Sequence, residues 1–175
     1  MERDPELQAL LDKQACTEVV YRLARAIDRC DRDALCACFH ADATDDHGLF
    51  KGTASDFINF VIPMLHGMIR TQHIIANVLI EISTHEARGE SYFVAQHTLP
   101  TDAGGTVEMF ASGRYLDSFS RRDGAWRISH RHAIYDWNTS EPSTSGWESE
   151  PMVSRLVRGA RGQADPSFAH FASLT

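Results

Sequence analysis

The sequence predicts one α+β domain, in which helices come first along the chain and a curved, mainly antiparallel sheet follows. Three observations support this prediction. Apolar residues recur at helical spacing through the first part of the chain, and long β-rich runs occupy residues 71–137. A chain of 175 residues also has room for one full core but not comfortably for two. Because a sheet that curves around helices leaves a pocket between the layers, we expect one site there.

The first predicted helix begins near the N-terminus. Asp4 and Pro5 have the residue types of an N-cap and a first helical position. Asp28 closes the helix. The apolar positions between them recur at helical spacing: Leu7, Leu10, Leu11, Val19, Val20, Leu23 and Ile27.

Two shorter helices are predicted next. Asp31 has the residue type of an N-cap and precedes a helix over residues 31–40. Ser55 or Asp56 is predicted to cap a third helix over residues 57–68. This arrangement completes the helical layer before the sheet begins.

The following residues have the composition of strands. Four runs are rich in β-branched and aromatic residues, and turn signals separate them at 85–89, 102–105 and Asp123–Gly124. A short strand and turn is also predicted earlier, over TDDHGLFKG at 44–52. The four runs are residues 71–83, 87–100, 106–122 and 125–137.

Beyond Trp137 the composition changes to Ser, Thr, Pro and Glu, which predicts a linker or surface loop. We therefore expect the domain to span residues 1–140, with a C-terminal linker and tail over 141–175. Three roles are open for this tail: it covers the cavity mouth, it packs at a subunit interface, or it is mobile.

Composition and charge exclude several classes of partner. A formal net charge of −7 leaves no basic stripe for a phosphate backbone, so we expect no nucleic-acid partner. We expect no membrane association either, because no stretch approaches the roughly 18 apolar residues of a span and the acidic N-terminus lacks a signal-peptide core. The cysteines lack paired CxxC spacing, which is typical of buried thiols in a reducing compartment: Cys16, Cys30, Cys36 and Cys38. These features predict a cytoplasmic protein.

Asp28 and His73 are the first candidates for chemistry. A carboxylate at a helix C-terminus faces the negative end of the helix dipole. Two interpretations are open: Asp28 is a solvated turn acid, or it points into the pocket and orients a histidine. Strict strand alternation places His73 on the face of Glu81, opposite Ile74 and Ile80, which favours a structural role. A bulge would instead turn His73 into the pocket.

Other polar residues alternate with apolar ones in the predicted strands. His97 could point inward from the strand after that of His73. His130 and His132 share the parity of Ile128 in the last run, and Arg114 lies among apolar residues in the run before. One histidine on an apolar face is usually a satisfied core residue, whereas several that converge favour a functional site.

Several reaction classes lack their sequence motifs. The chain has no GxSxG elbow, no GxxxxGK[ST] loop and no GxGxxG after a strand. A zinc site from Cys36, Cys38 and His40 is disfavoured because alternate residues on a helix point to different faces. We therefore expect no metal and no cofactor. Proton transfer by His and Asp in an apolar pocket, or no chemistry, remains open.

Several motifs, in this order and spacing, resemble a known family. They are YRLARAIDRCDRDAL, a helix ending in PMLHG, RTQHIIANV, and the hairpin SFSRRDGAWRISHRHAIYDW. Over residues 8–140 they are similar to the SnoaL-like branch of the nuclear-transport-factor-2-like superfamily. Within it they most resemble scytalone dehydratase and hexachlorocyclohexane dehydrochlorinase. The resemblance implies an NTF2-like α+β cone, with N-terminal helices packed in a curved sheet.

The resemblance also implies roles for single residues. Asp28 corresponds to the aspartate that orients the catalytic histidine, and His73 to that histidine, which acts as the base. His97 corresponds to an assisting histidine on the next strand. His47 matches the position of a tyrosine that polarises the substrate carbonyl through water.

The chain departs from scytalone dehydratase at other positions. Ile27 stands where that enzyme has a tyrosine, and Gly113 and Tyr115 replace a serine and an asparagine, which puts scytalone itself in doubt as the substrate. Tyr21 could supply a phenol instead. The predicted site thus consists of catalytic Asp28, His73 and His97, and of substrate-binding Tyr21, His47, Arg114, Tyr115 and His132.

The function that these residues and the resemblance imply is a cofactor-independent lyase. It would carry out a dehydratase-type elimination on a small hydrophobic, cyclic substrate through an Asp–His dyad. Two alternatives stay open: an isomerase or polyketide cyclase with the same dyad, and a non-catalytic ligand-binding module or dioxygenase small-subunit-like scaffold. A homo-oligomer, dimer or trimer, is also expected.

Overall fold

The computed structural model describes residues 4–174 and has the α+β architecture that the sequence predicts. The helices are α1 (Pro5–Asp28), α2 (Arg32–Ala37), α3 (Ala54–Gly67), α4 (Met152–Arg155) and α5 (Pro166–Ala172), with a 3₁₀ turn over Gly162–Ala164. The strands are β1 (Phe39–Asp46), β2 (Lys51–Thr53), β3 (Arg70–Ser83), β4 (Glu86–Pro100), β5 (Thr106–Arg122) and β6 (Ala125–Pro142).

Within residues 4–174 the strands form a six-stranded mixed sheet in the order β2-β1-β6-β5-β4-β3. β1 runs parallel to β6, and the other neighbouring strands are antiparallel. The mainly antiparallel sheet is therefore confirmed. Because β1 and β3 lie towards opposite ends of the sheet, residues on them approach a shared cavity from different sides.

Side-chain caps fix the starts of the N-terminal helices. The Asp4 carboxylate accepts a hydrogen bond from the Glu6 backbone N–H, and Asp31 accepts one from Ala34. Both predicted caps are confirmed. The prediction that Ser55 or Asp56 caps α3 is wrong, because Thr53 does so: its hydroxyl oxygen accepts from the backbone N–H at position 56 (3.1 Å).

The core lies between the helices and the sheet. On the helical side it contains α1 residues such as Val20 and Leu23 and α3 residues such as Phe57 and Leu65. The predicted second helix is shorter than expected and ends at Ala37, since Phe39 already pairs with β6 as part of β1. Strand pairing there overrides the local helical pattern.

A β-bulge at Asn77 reverses the side-chain alternation of β3. The register with β4 shifts between Ala76 and Val78, and Asn77 has a positive φ of 41°. Before the bulge the His73 side chain is only 9% exposed and Ile74 is 55% exposed; after it, Ile80 is buried. The strict alternation that grouped Ile74 with Ile80 is therefore wrong, and the bulge places His73 on the inner face.

A second bulge, at Ser129, reverses the alternation of β6. Phe119 pairs with Ile128, but Ser118 pairs with His130, so Ser129 is the extra residue. His130 and His132 consequently point outward, and Arg131 between them is fully buried. The prediction that these histidines share the face of Ile128 is wrong for this reason.

β6 continues past its predicted end at Trp137 and pairs with β5 as far as Pro142. The tail then returns to the end of α1, where the Gly162 N–H donates to the Arg29 carbonyl (2.7 Å) and Asp165 lies 3.3 Å from the Arg29 guanidinium. No helix in residues 4–174 combines the length and apolar character needed to cross a membrane.

Candidate active site

An apolar cavity of about 670 Å³ lies between α1, α3 and the inner face of the sheet. Its walls are mostly aliphatic and aromatic, with Phe57 and Val61 from α3 and Phe93 and Met109 from the sheet. A few polar groups converge on this surface: His47, His73, His97, Tyr115 and Tyr135.

Asp28 and His73 form a hydrogen-bonded pair, in which His73 borders this cavity. The Nδ1 of His73 lies 2.7 Å from Asp28 Oδ1, and the His73 backbone N–H donates to Asp28 Oδ2 (2.8 Å). Both side chains are about nine-tenths buried, at 9% and 10% exposure. An ionised carboxylate can only accept, so Nδ1 carries the proton and Nε2 is left as the basic nitrogen.

The end of α1 and the bulged strand together position this pair. Asp28 is the last residue of α1, where the helix dipole disfavours a carboxylate. The two N–H groups of His73 offset that cost, because both are directed at the carboxylate. The bulge at Asn77 keeps His73 on the inner face while the rest of β3 packs on the core.

His97 lies beside His73 on the next strand. The two rings are in edge-to-face contact, with centroids 5.4 Å apart. Burial, together with the neighbouring His73, lowers the pKa of His97 to about 4. At neutral pH His97 is therefore an uncharged imidazole that can donate or accept a hydrogen bond.

A second aspartate–histidine pair borders the same cavity at the other end of the sheet. His47 follows β1, and its Nδ1 is hydrogen-bonded to Asp45 Oδ1. The ring stacks on Phe57 at 4.4 Å and lies 5.9 Å from Tyr115. Asp45 is fully buried and pairs in register with Arg131 of β6.

Arg131 belongs to a buried charge cluster behind the cavity. Its guanidinium binds both oxygens of Asp117 at 2.7 Å and covers the Tyr115 ring at 4.0 Å. Burial alone would lower the pKa of Arg131, but Asp117, Tyr115 and Asp45 outweigh it and raise that pKa. Burial raises the pKa of Tyr115 far above neutrality, so this phenol stays protonated.

The model of the SnoaL-like domain family matches residues 8–132 of the chain. This protein belongs to the SnoaL-like family. None of the curated proteins matches its sequence.

Solved structures share the fold of this SnoaL-like protein at low identity. A protein of Novosphingobium aromaticivorans named after scytalone dehydratase is 20% identical, with a TM-score of 0.66 over 89% of this chain and 95% of its own. Hexachlorocyclohexane dehydrochlorinase LinA-type3 of Novosphingobium barchaimii is 19% identical (TM-score 0.65; 79% and 94%). Kfla4162 of Kribbella flavida is 20% identical (TM-score 0.67; 75% and 95%).

The structure brings most of the predicted site residues of this SnoaL-like protein together. Asp28 contacts His73, and His73, His97, His47 and Tyr115 border the cavity. The other three predicted residues lie elsewhere, each for a physical reason.

Tyr21 lies on the outer side of α1 and is 49% exposed. Arg114 lies on the outer face of β5, where it pairs with Glu90 and Asp136. His132 points outward because of the bulge at Ser129. None of these three is among the cavity-lining residues, so their predicted substrate-binding role has no support from this geometry.

Sequence reasoning missed Asp45, Asp117 and Arg131 in this SnoaL-like protein. The spacing of Asp45 and His47, two residues apart on an extended segment, was a usable signal, because such side chains share a face. The sequence did not indicate a buried Arg131, because the bulge at Ser129 that turns it inward has no signature in a single sequence.

A polar cleft of about 910 Å³ adjoins the apolar cavity, and His73 and Met68 border both. Arg70 and Arg158 line this cleft, and each forms an ion pair with Glu148 of the tail. The tail thus borders the cleft next to His73. No group of three or more side chains suited to holding a metal ion occurs in the described part of the chain.

Proposed function

We propose that this protein is a cofactor-independent lyase that eliminates a small leaving group from a hydrophobic, cyclic carbonyl compound. The observation that carries the proposal is the 2.7 Å contact between Asp28 Oδ1 and His73 Nδ1 at the wall of an apolar cavity. A histidine held in this tautomer has its other nitrogen available as a base.

The reaction begins with a proton on carbon next to the substrate carbonyl. His73 Nε2 takes this proton, and the electron pair that remains forms the new double bond as the leaving group departs. The imidazolium that results is stabilised by the Asp28 carboxylate across the Nδ1–H hydrogen bond. His97, neutral and next to His73, is placed to donate a hydrogen bond to the substrate oxygen.

The cavity supports a substrate that is small and largely apolar. Its volume of about 670 Å³ suits a ring system of moderate size, and its walls offer aromatic surfaces such as Phe57 and Phe93. Two of the similar folds carry the names of a dehydratase and a dehydrochlorinase, both of which are eliminating enzymes. At about 20% identity this likeness supports the reaction class only as an analogy.

A non-catalytic scaffold fits the geometry less well. Such a module would be expected to fill the cavity with side chains and to leave Asp28 and His73 apart. Their direct contact and the open volume beside them favour an enzyme instead.

An isomerase or cyclase remains the nearest enzymatic rival, because the same base serves enolisation. It differs from a lyase in the fate of the proton. When the reaction is run in D₂O, an isomerase returns a proton from the site to carbon and places deuterium there in an otherwise unchanged product, whereas a cyclase forms a C–C bond within the substrate and returns the proton to oxygen. A lyase releases a product that has lost the leaving group.

The proposal is tested with a set of cyclic β-substituted ketones, whose conjugated products absorb in the ultraviolet. Asp28→Asn and His73→Ala should each lower turnover by about 10²- to 10⁴-fold, since each removes a part of the base. Asp42→Asn and His130→Ala make the same kinds of change at exposed positions and should retain full turnover. Unchanged turnover in both Asp28→Asn and His73→Ala would rule the dyad out.

A further inference from the structure

His47 occupies a position in the cavity that complements that of His73. β1, which leads into His47, and β3, which carries His73, lie towards opposite ends of the sheet order, yet both side chains border one cavity. A ligand in this space therefore meets a histidine from either side. The His47 ring is held on one face by Phe57 and at Nδ1 by Asp45, so Nε2 is its remaining polar atom.

The surroundings of His47 differ from those of His73 in their charge balance. Behind His47 lie two buried carboxylates, Asp45 and Asp117, and one buried guanidinium, Arg131. Arg131 binds both oxygens of Asp117. Asp45 Oδ2 is buried, and no residue in 4–174 forms a hydrogen bond with it.

These three groups together carry one uncompensated negative charge. A buried carboxylate without a counter-charge is costly, by several kcal/mol per ion. The nearest group that can supply the missing positive charge is His47, which touches Asp45 directly. Further titratable groups near the cluster are the phenols of Tyr115 on β5 and Tyr135 on β6, and burial raises the pKa of both. Asp136, a carboxylate that also borders the cavity, is already paired with Arg114. A proton on both ring nitrogens of His47 makes the cluster neutral.

We propose that His47 is a second catalytic residue, an imidazolium held by Asp45 that protonates an oxygen leaving group, so that the substrates are β-hydroxy carbonyl compounds. Asp45 is the positioning residue. This inference rests on the proposed function, in which His73 is the base. It adds His47 as the general acid of the reaction and identifies the leaving group as a hydroxyl.

The proposed elimination gives every proton and electron pair a destination. His73 Nε2 takes the proton from the carbon next to the carbonyl, the C–H electron pair becomes the C=C bond, and the C–O bond breaks. The leaving oxygen takes the proton from His47 Nε2 and departs as water. Solvent then removes a proton from His73 and returns one to His47.

A hydroxyl group needs such an acid and a halide does not. Without protonation it would leave as hydroxide, a strong base and therefore a poor leaving group, whereas chloride or acetate departs readily as the anion. A general acid such as His47, across the cavity from His73, therefore accelerates the reaction only when the leaving group is poor. This is why His47 points to hydroxylated substrates.

The protonation state of His47 is measured first, by ¹⁵N–¹H correlation NMR of the histidine rings at pH 7. His47→Gln identifies the His47 signals by their disappearance. The proposal predicts protons on both His47 nitrogens, and their loss to a neutral ring in Asp45→Asn. Asp46→Asn, at the neighbouring carboxylate that pairs with Lys51 instead of His47, should leave the signals as they are. A neutral His47 in the unmodified protein would overturn the proposal.

Leaving-group preference provides the second measurement, with 3-hydroxycyclohexanone and 3-acetoxycyclohexanone as the probes. His47→Gln should lower kcat on the hydroxy ketone by about 10²-fold or more and on the acetoxy ketone by less than about 10-fold. His73→Ala should lower both. Equal losses on both probes in His47→Gln would show a merely structural role. If the unmodified protein converts neither probe, the proposed elimination fails, and the ring NMR still decides whether His47 carries its proton.

Discussion

The cavity holds two aspartate–histidine pairs whose surroundings differ. Both oxygens of Asp28 accept hydrogen bonds from N–H groups of one residue, His73. The backbone and the ring of His73 therefore stabilise the carboxylate charge together. Asp45 shares a buried cluster with Asp117 and Arg131, and one of its oxygens has no hydrogen-bond partner within residues 4–174. In the proposed mechanism the same two residue types serve as base in one pair and as acid in the other, because the neighbouring charges differ.

Removing the buried cation should have the largest effect on stability. Arg131→Met leaves Asp117 buried without its counter-charge, and we expect a loss of about 3–5 kcal/mol in the free energy of unfolding. Urea denaturation measures this loss. Arg122→Met, which breaks an exposed ion pair with Asp42, should cost less than about 1 kcal/mol. Equal costs for the two variants would contradict the buried-cluster description.

The buried His97 should make the protein sensitive to acid. His97 has a folded pKa of about 4 against 6.5 when unfolded, so the unfolded chain binds protons more readily between these values. Stability should fall as the pH drops from 6.5 to 4, by at most about 3 kcal/mol from this residue. His97→Gln should flatten that slope in urea titrations, whereas exposed His130→Gln should not. An unchanged slope in His97→Gln would contradict the buried, neutral state of His97.

A substitution in the bulge that turns His73 inward should have a smaller effect on stability than the loss of Arg131. Asn77 has a positive φ, which asparagine tolerates and a β-branched residue does not. Asn77→Val should cost roughly 1–2 kcal/mol in unfolding free energy and lower turnover, because His73 loses its fixed position near Asp28. Asn77→Gly, which adopts this conformation freely, is the matched control. If the valine and glycine variants behave alike, the bulge does not position the base.

The smallest effect is expected at Tyr21. Its side chain is half exposed and does not border the cavity, so Tyr21→Phe should change the unfolding free energy by less than about 0.5 kcal/mol and leave turnover unchanged. Thermal denaturation and the ketone assay check both. A marked loss of turnover would restore the predicted phenol role and would place the substrate outside the described cavity.

Local signals in the sequence were sufficient for most of the helical layer. Asp4 and Asp31 were identified as caps because an N-cap is decided by one side chain and its next three residues. Asp28 was recognisable because a carboxylate at a helix C-terminus is unfavourable alone. Its contact with His73 needed the family resemblance, since 45 residues separate the two in the chain.

The orientation of strand residues could not be predicted in the same way. One extra residue at Asn77 and another at Ser129 invert the positions that follow, up to the next bulge at Asp136 in β6. Each bulge depends on the pairing of whole strands rather than on local composition. His132 was therefore placed in the site and Arg131 was not. Thr53 was missed as a cap because it also belongs to the pairing segment of β2.

In the proposed mechanism, His73 removes a proton from carbon only when Asp28 holds its ring. Exchange of the α-protons of cyclohexanone in D₂O, followed by ¹H NMR, tests this directly and needs no leaving group. We expect exchange above the buffer rate with the unmodified protein, a loss of about 10²-fold or more in Asp28→Asn, and no exchange above the buffer rate in His73→Ala. Equal enzymatic exchange in the unmodified protein and Asp28→Asn would contradict this mechanism.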